Sequence, residues 1–152
     1  MANESGCLVD SNIWIALSFS SHPGHQVASS AMAAADNRPA FFCRATRQSF
    51  LRLVSTPALA RQYAAVELTN NDALDLFDRF MAAPYVEYCD EPAGLLALWR
   101  QLAGRASAAP KAWMDAYLAA YAIAGGMKFI TLDRDFAAFQ NAGLKLLTLQ
   151  AS

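Results

Sequence analysis

Trp113 to Phe136 reads WMDAYLAAYAIAGGMKFITLDRDF, and the fold follows from how this stretch changes period. It begins as an apolar, helix-like run that carries one acid, Asp115, near its start. The run breaks at Gly125-Gly126, passes through a short strand-like segment from Lys128 to Leu132, and ends at Asp133 and Asp135. Helix, glycine turn, strand and acidic loop together make one α/β unit, with its loop at the carboxyl end of a parallel strand. Ligands of open α/β sheets gather at that end. A carboxylate on an otherwise apolar helix is costly unless something pairs with it. Two acidic positions joined by one such unit therefore point to a shared cation.

Working outward, a third acid lies near the amino terminus. Cys7-Leu8-Val9 is a short apolar strand that runs directly into Asp10-Ser11-Asn12. If it lies parallel to the Lys128 to Leu132 strand, Asp10 and Asp133 emerge at the same edge. An all-oxygen cluster of this kind suits hard divalent cations such as Mg²⁺ or Mn²⁺. Asp10 has a second reading, as the N-cap of the helix that follows. Asp115 likewise has one, as an acid in the favourable field of a helix N-terminus. One of Asp133 and Asp135 is also expected to cap a helix over Phe136 to Gln140.

Four segments, LVDSNIWIAL, RATRQSFLRLVS, WMDAYLAAYAIAGG and FITLDRDFAAF, resemble in order and spacing the signatures of PIN-domain ribonucleases. Within them they resemble the VapC-type toxins of toxin–antitoxin pairs, in a mycobacterial-type subfamily. The resemblance spans the whole chain. It implies a doubly wound five-stranded parallel sheet of order 3-2-1-4-5, with helices on both faces. It also implies an endoribonuclease using Mg²⁺ or Mn²⁺, with catalytic Asp10, Asp115 and Asp133 and with Asp135 a secondary ligand. Asn12 and Thr131 match positions that support the acids. The partners implied are an RNA substrate, a VapB-like antitoxin and a second copy of the chain.

The sequence departs from the family at one place. A fourth carboxylate, a glutamate, usually stands at the start of the helix after the second strand. Here that place falls at Arg47 or Gln48. Gln48 can offer an amide oxygen to a cation, with less electrostatic strength than a carboxylate, and some mycobacterial-type relatives carry glutamine nearby. Arg52 matches a basic position in that subfamily and suits contact with RNA phosphate or antitoxin. A second function is thus open beside the nuclease, namely a catalytically weak PIN-like module that binds RNA or protein, its acids kept as a structural cluster.

Length and composition agree with one domain over residues 1–152. The chain is 55% hydrophobic and 16% charged, so it carries either a buried parallel sheet or apolar surface that a partner covers. Net charge is −1, which leaves any nucleic-acid contact to a local basic patch or to a metal that reverses the sign of the site. Each apolar run is interrupted before it reaches membrane-spanning length, and Met1 to Gly6 lacks the basic start of a secretory signal, so a cytoplasmic, non-membrane protein is expected. Cys7, Cys43 and Cys89 have neither the number nor the spacing of a disulfide framework or zinc site, and read as buried thiols.

The remaining elements alternate. Ile13 to Phe19 leaves the acidic edge, and Gln26 to Ala35 forms a helix after His22-Pro23-Gly24-His25, whose histidines flank a turn and are not assigned as ligands. Ala40 to Cys43 and Val86 to Cys89 are strands, and Lys145 to Leu149 is the last. Helices are expected over Arg44 to Val54, Ala58 to Val66, from a cap at Asn70 or Asn71, and over Ala93 to Gly104. Arg105 to Lys111 is a small-residue-rich, mobile lead into the Asp115 helix. Neither cysteine nor serine is paired with histidine as a nucleophile, so metal-assisted phosphodiester hydrolysis is the chemistry these residues support. Trp14, Trp113 and Tyr117 are aromatics on which unpaired bases can stack, although core packing is the expected role of at least two.

Overall fold

The computed structural model describes residues 6–151. The reading of the leader at residues 1–5 lies outside them. Cys7–Val9 (β1), Ala40–Phe42 (β2), Val86–Tyr88 (β3), Lys128–Thr131 (β4) and Lys145–Thr148 (β5) form one parallel sheet of order β3-β2-β1-β4-β5. This is the expected order. The two central strands, β1 and β4, align Cys7 with Lys128 and Val9 with Ile130.

Successive side chains of a strand point to opposite faces. Cys7 and Val9 therefore enter one core with Phe42 and Ile130, while Leu8 enters the other with Phe129. Both faces need covering, which explains the apolar composition. One face is covered by Ser11–Ser18 (α1), His25–Ala33 (α2), Arg44–Val54 (α3), Pro57–Ala64 (α4) and Asn70–Met81 (α5). Trp14 stacks on Phe42 there, with ring centroids 4.0 Å apart, and donates its Nε1–H to the Val9 carbonyl. The other face is covered by Leu95–Ala103 (α6), Ala112–Gly125 (α7) and the 3-10 segment Arg134–Ala142. Among the described residues, no helix is long and apolar enough to cross a membrane.

Several boundaries differ from expectation, each for a local reason. Thr69, not Asn70 or Asn71, caps α5: its hydroxyl accepts from the Asp72 N–H while the Asp72 carboxylate accepts from the Thr69 N–H. The expected helix Ala93 to Gly104 begins only at Leu95, because Gly94 takes a left-handed φ of 84° and turns the chain first. The expected helix Phe136 to Gln140 is instead part of the longer 3-10 segment, in which residues three apart eclipse. That spacing buries Phe136 and Phe139 on the same side. The Gln26 to Ala35 helix ends at Ala33, and a 3-10 turn over Ala35–Asn37 follows. The helix expected over Ala58 to Val66 runs from Pro57, which occupies its first turn, to Ala64.

The histidines are structural, as expected: His22 Nδ1 accepts from the Gly24 N–H, and His25 Nδ1 lies 2.9 Å from the Ala16 carbonyl oxygen. Cys7 and Cys43 are buried free thiols, and Cys89 is half-buried against the Tyr121 hydroxyl.

A candidate acidic active site at the β1–β4 edge

The site starts from the two central strands. β1 and β4 end side by side, joined by the Asp10 N–H to the Ile130 carbonyl at 2.9 Å. Each is followed at once by a helical element, and each transition is capped by an aspartate. Asp10 Oδ1 accepts from the Ser11 N–H at 2.8 Å, and Asp133 Oδ1 accepts from the Asp135 N–H at 2.9 Å. The second oxygen of Asp10 accepts from the Thr131 hydroxyl, and that of Asp133 faces the Lys111 ammonium. The cap and the site are therefore two uses of one carboxylate.

Thr131 organises this corner. Its buried hydroxyl donates to Asp10 Oδ2 at 2.7 Å and accepts from the Asn12 amide at 3.2 Å and the Asp133 N–H at 3.0 Å. Asn12 Oδ1 in turn accepts from the Leu132 N–H. One donor and two acceptor positions exhaust a hydroxyl. Asn12 and Thr131 thus tie the β1 and β4 loops to each other.

Asp115 reaches the same place from α7. It shares with Asp10 and Asp133 a cavity of about 750 Å³, which Gln48, Ser49 and Arg52 of α3 line from the opposite side. Ser49 donates to the Ser11 hydroxyl and fixes α3 against α1. Burial pushes the Asp10 carboxyl above the ordinary carboxylate range. The hydrogen bonds from Thr131 and Ser11 oppose that rise, and the nearby charges of Asp133 and Asp115 add to it.

The acids do not meet without a basic partner. Lys111 Nζ lies 3.0 Å from Asp115 Oδ2, 3.1 Å from Asp133 Oδ2 and 3.2 Å from Asp135 Oδ2. These contacts raise the affinity of the ammonium for its proton. The sequence signal was present, a lysine four residues before Asp115 at a helix start. It was hidden because Arg105 to Lys111 read as a loop. Burial also orders the acids: the Asp115 and Asp133 side chains are 19% and 32% exposed, and Asp135 is 72% exposed. Asp135 thus sits at the rim.

Of the alternatives for the missing glutamate, Gln48 lines the acidic cavity. Arg47 points elsewhere, its guanidinium over the Tyr88 ring at 5.2 Å and its Nε donating to Gln48 Oε1. Arg52 lines both the acidic cavity and a groove formed with Leu51, Ala73 and Leu74. Trp14 is fully buried and unavailable to bases, and Tyr117 is half-buried with its hydroxyl donating to Glu91. Trp113 is 58% exposed and remains accessible.

The donors at this corner are carboxylate and amide oxygens, the chemistry of a hard cation, and the ammonium of Lys111 marks where positive charge is already accepted. As the side chains stand, no three His, Cys, Asp or Glu residues among those described enclose a metal position. The donor types are those that suit a hard cation, and in this structure the Lys111 ammonium lies among them.

A profile described as the PIN domain matches residues 7–141. Ribonuclease VapC41 of Mycobacterium tuberculosis, in two strains, is 43% identical over 143 residues, covering 92% of this chain and 97% of that protein. Among solved structures, VapBC2 of Rickettsia felis, bound to a DNA fragment from its promoter, aligns over 93% of this chain and 97% of that chain, with a TM-score of 0.61 and 15% identity. VapC20 of Mycobacterium tuberculosis, described as a toxin cleaving the sarcin–ricin loop, aligns over 95% of this chain and 99% of that chain, with a TM-score of 0.60 and 17% identity. At such identities the two structures speak for the fold alone.

Proposed function

The chain belongs to the PIN-domain family, in its VapC-type branch, and on that premise we propose that it is a divalent-metal-dependent endoribonuclease, the toxin of a type II toxin–antitoxin pair. The observation that carries this reading is the shared cavity of Asp10, Asp115 and Asp133 at the carboxyl ends of β1 and β4. Asp10, Asp115 and Asp133 would hold Mg²⁺ or Mn²⁺, with Asp135 assisting from the rim. When bound, such an ion lowers the pKa of a coordinated water and offsets charge on the phosphodiester. The protein's own part is orientation. Thr131 and Asn12 fix the direction of Asp10 and of the Asp133 loop, and the burial of Asp10 keeps competing water from its inner oxygen. Arg52, across the cavity, is placed to meet an RNA phosphate, and exposed Trp113 offers a face to an unpaired base.

The groove between α3 and α5 joins the acidic cavity through Gln48 and Arg52. It suits an apolar helix of a VapB-like antitoxin, which could send a basic side chain on toward the acids. Exposed Val66 and Leu96 also leave apolar surface on which a second copy could pack.

Two observations favour the other reading, a catalytically weak RNA- or protein-binding module: an amide at residue 48 and an ammonium among the acids reduce the pull on a metal ion. The test is cleavage of an end-labelled structured RNA with Mg²⁺ or Mn²⁺, with chelator, and with Asp10→Asn. Metal-dependent cleavage lost in the variant is expected. Equal RNA binding by both proteins with no cleavage by either would leave the binding module as the function.

A further inference from the structure

We propose that Lys111 is the resident counter-ion of the acidic corner, and that a divalent cation reaches Asp115 and Asp133 only by displacing the Lys111 ammonium. The proposal rests on the metal reading above and concerns a residue outside the expected ligand set.

Asp133 Oδ1 is committed to the Asp135 N–H, and its Oδ2 is held by Lys111 at 3.1 Å. Lys111 also holds Oδ2 of Asp115 at 3.0 Å and of Asp135 at 3.2 Å. Asp10 has one oxygen on the Ser11 N–H and the other on the Thr131 hydroxyl. The outward-facing acceptors of the loop acids thus converge on the ammonium. An ammonium and a dication cannot share these oxygens, because like charges a few ångströms apart repel strongly even near a protein surface.

The same geometry permits the exchange. The Lys111 side chain is 63% exposed, although three carboxylates grip its tip. Lysine carries a compact charge on a flexible stem, so it can swing out without moving the backbone. Lys111 is the N-cap residue of α7, four residues before Asp115, so the displaced ammonium stays close to the acids. Metal loading becomes a cation exchange rather than the filling of a bare acidic hole.

The test is calorimetric titration of metal-free protein with MnCl₂, comparing wild type, Lys111→Met and Lys111→Arg. Lys111→Met should bind Mn²⁺ about three- to tenfold more tightly, the scale of a few solvent-screened ion pairs. Its thermal midpoint should also rise more on adding Mn²⁺. Lys111→Arg should bind no more tightly than wild type, since the charge is kept. Equal affinity in wild type and Lys111→Met, with measurable binding in both, overturns the exchange and leaves the metal site standing. Absence of Mn²⁺ binding in all three proteins overturns the metal reading itself, and the exchange with it.

Discussion

The hydroxyl of Thr131 donates to Oδ2 of Asp10 at 2.7 Å, across the central pair of parallel strands. Both groups are buried, so the bond is made away from water to a group that can carry charge. Thr131→Val keeps the shape and removes the donor. It should destabilise the protein by about 1–3 kcal/mol, as expected for a buried acceptor left unsatisfied. In a chain of this size that lowers the thermal midpoint by about 3–10 °C. Thr131→Ser should recover most of the loss. An unchanged midpoint in Thr131→Val would mean that this bond does not hold the corner together.

Within the acidic loop, burial separates the two aspartates. Asp133→Asn should reduce RNA cleavage to background, whereas Asp135→Asn, at the exposed rim, should stay within about fivefold of wild type. The reverse pattern in a single-turnover assay would exchange their roles.

The site of the absent glutamate is likewise testable. Gln48 faces the cavity and Arg47 lies over Tyr88, so Gln48→Glu should tighten Mn²⁺ binding and raise the cleavage rate. Arg47→Glu should do neither. Calorimetry on the two variants decides, and tighter binding in Arg47→Glu alone would require α3 to present its other face.

The antitoxin seat makes a different demand. Leu74, 48% exposed in the α3–α5 groove, should be replaceable by aspartate without loss of fold or of cleavage. Leu74→Asp should weaken co-purification with a VapB-like antitoxin. Retention of the complex at wild-type yield would move the seat elsewhere.

The thiols set an alkaline limit. Burial pushes Cys7 and Cys89 from 9.0 up to about 11, so between those values the unfolded chain loses protons that the folded chain keeps. Stability is then fully present below pH 9 and falls as pH rises toward 11. Urea midpoints across that range should decline, and iodoacetamide at pH 8 should label these cysteines only after unfolding. Rapid alkylation of native protein at Cys7 would contradict the burial that raises it.

Why some of this was legible in the sequence and some was not follows from range. Strands such as Cys7 to Val9 announce themselves because a parallel strand buried on both faces is a short apolar run, and an acid placed just after it has few places to go. Asp10, Asp133 and the strand order were readable for that reason, helped by the family signatures. The cap at Thr69 was missed although the Thr69–Asp72 spacing was visible, because two asparagines stood next to it. The 3-10 segment was missed because Phe136 and Phe139 fit either helical period over so few residues. Lys111 was missed for a different reason. Two of its three partners, Asp133 and Asp135, lie beyond a whole helix and a strand, and only the folded sheet brings them to it. Likewise, no local pattern distinguishes Gln48 from Arg47; the position of Tyr88 on a neighbouring strand does.

The pairing of Cys7 with Lys128 at the centre of the sheet also has a consequence for synthesis. The first strand has no β4 neighbour until residues 128–130 have been made, and its acid waits for residues 115 and 133 as well. Pairing between such distant residues forms late, because the closure of so long a loop must come first. The acidic corner therefore cannot assemble from the amino-terminal part of the chain alone, and takes shape only once the β4 strand and the loop after it are in place.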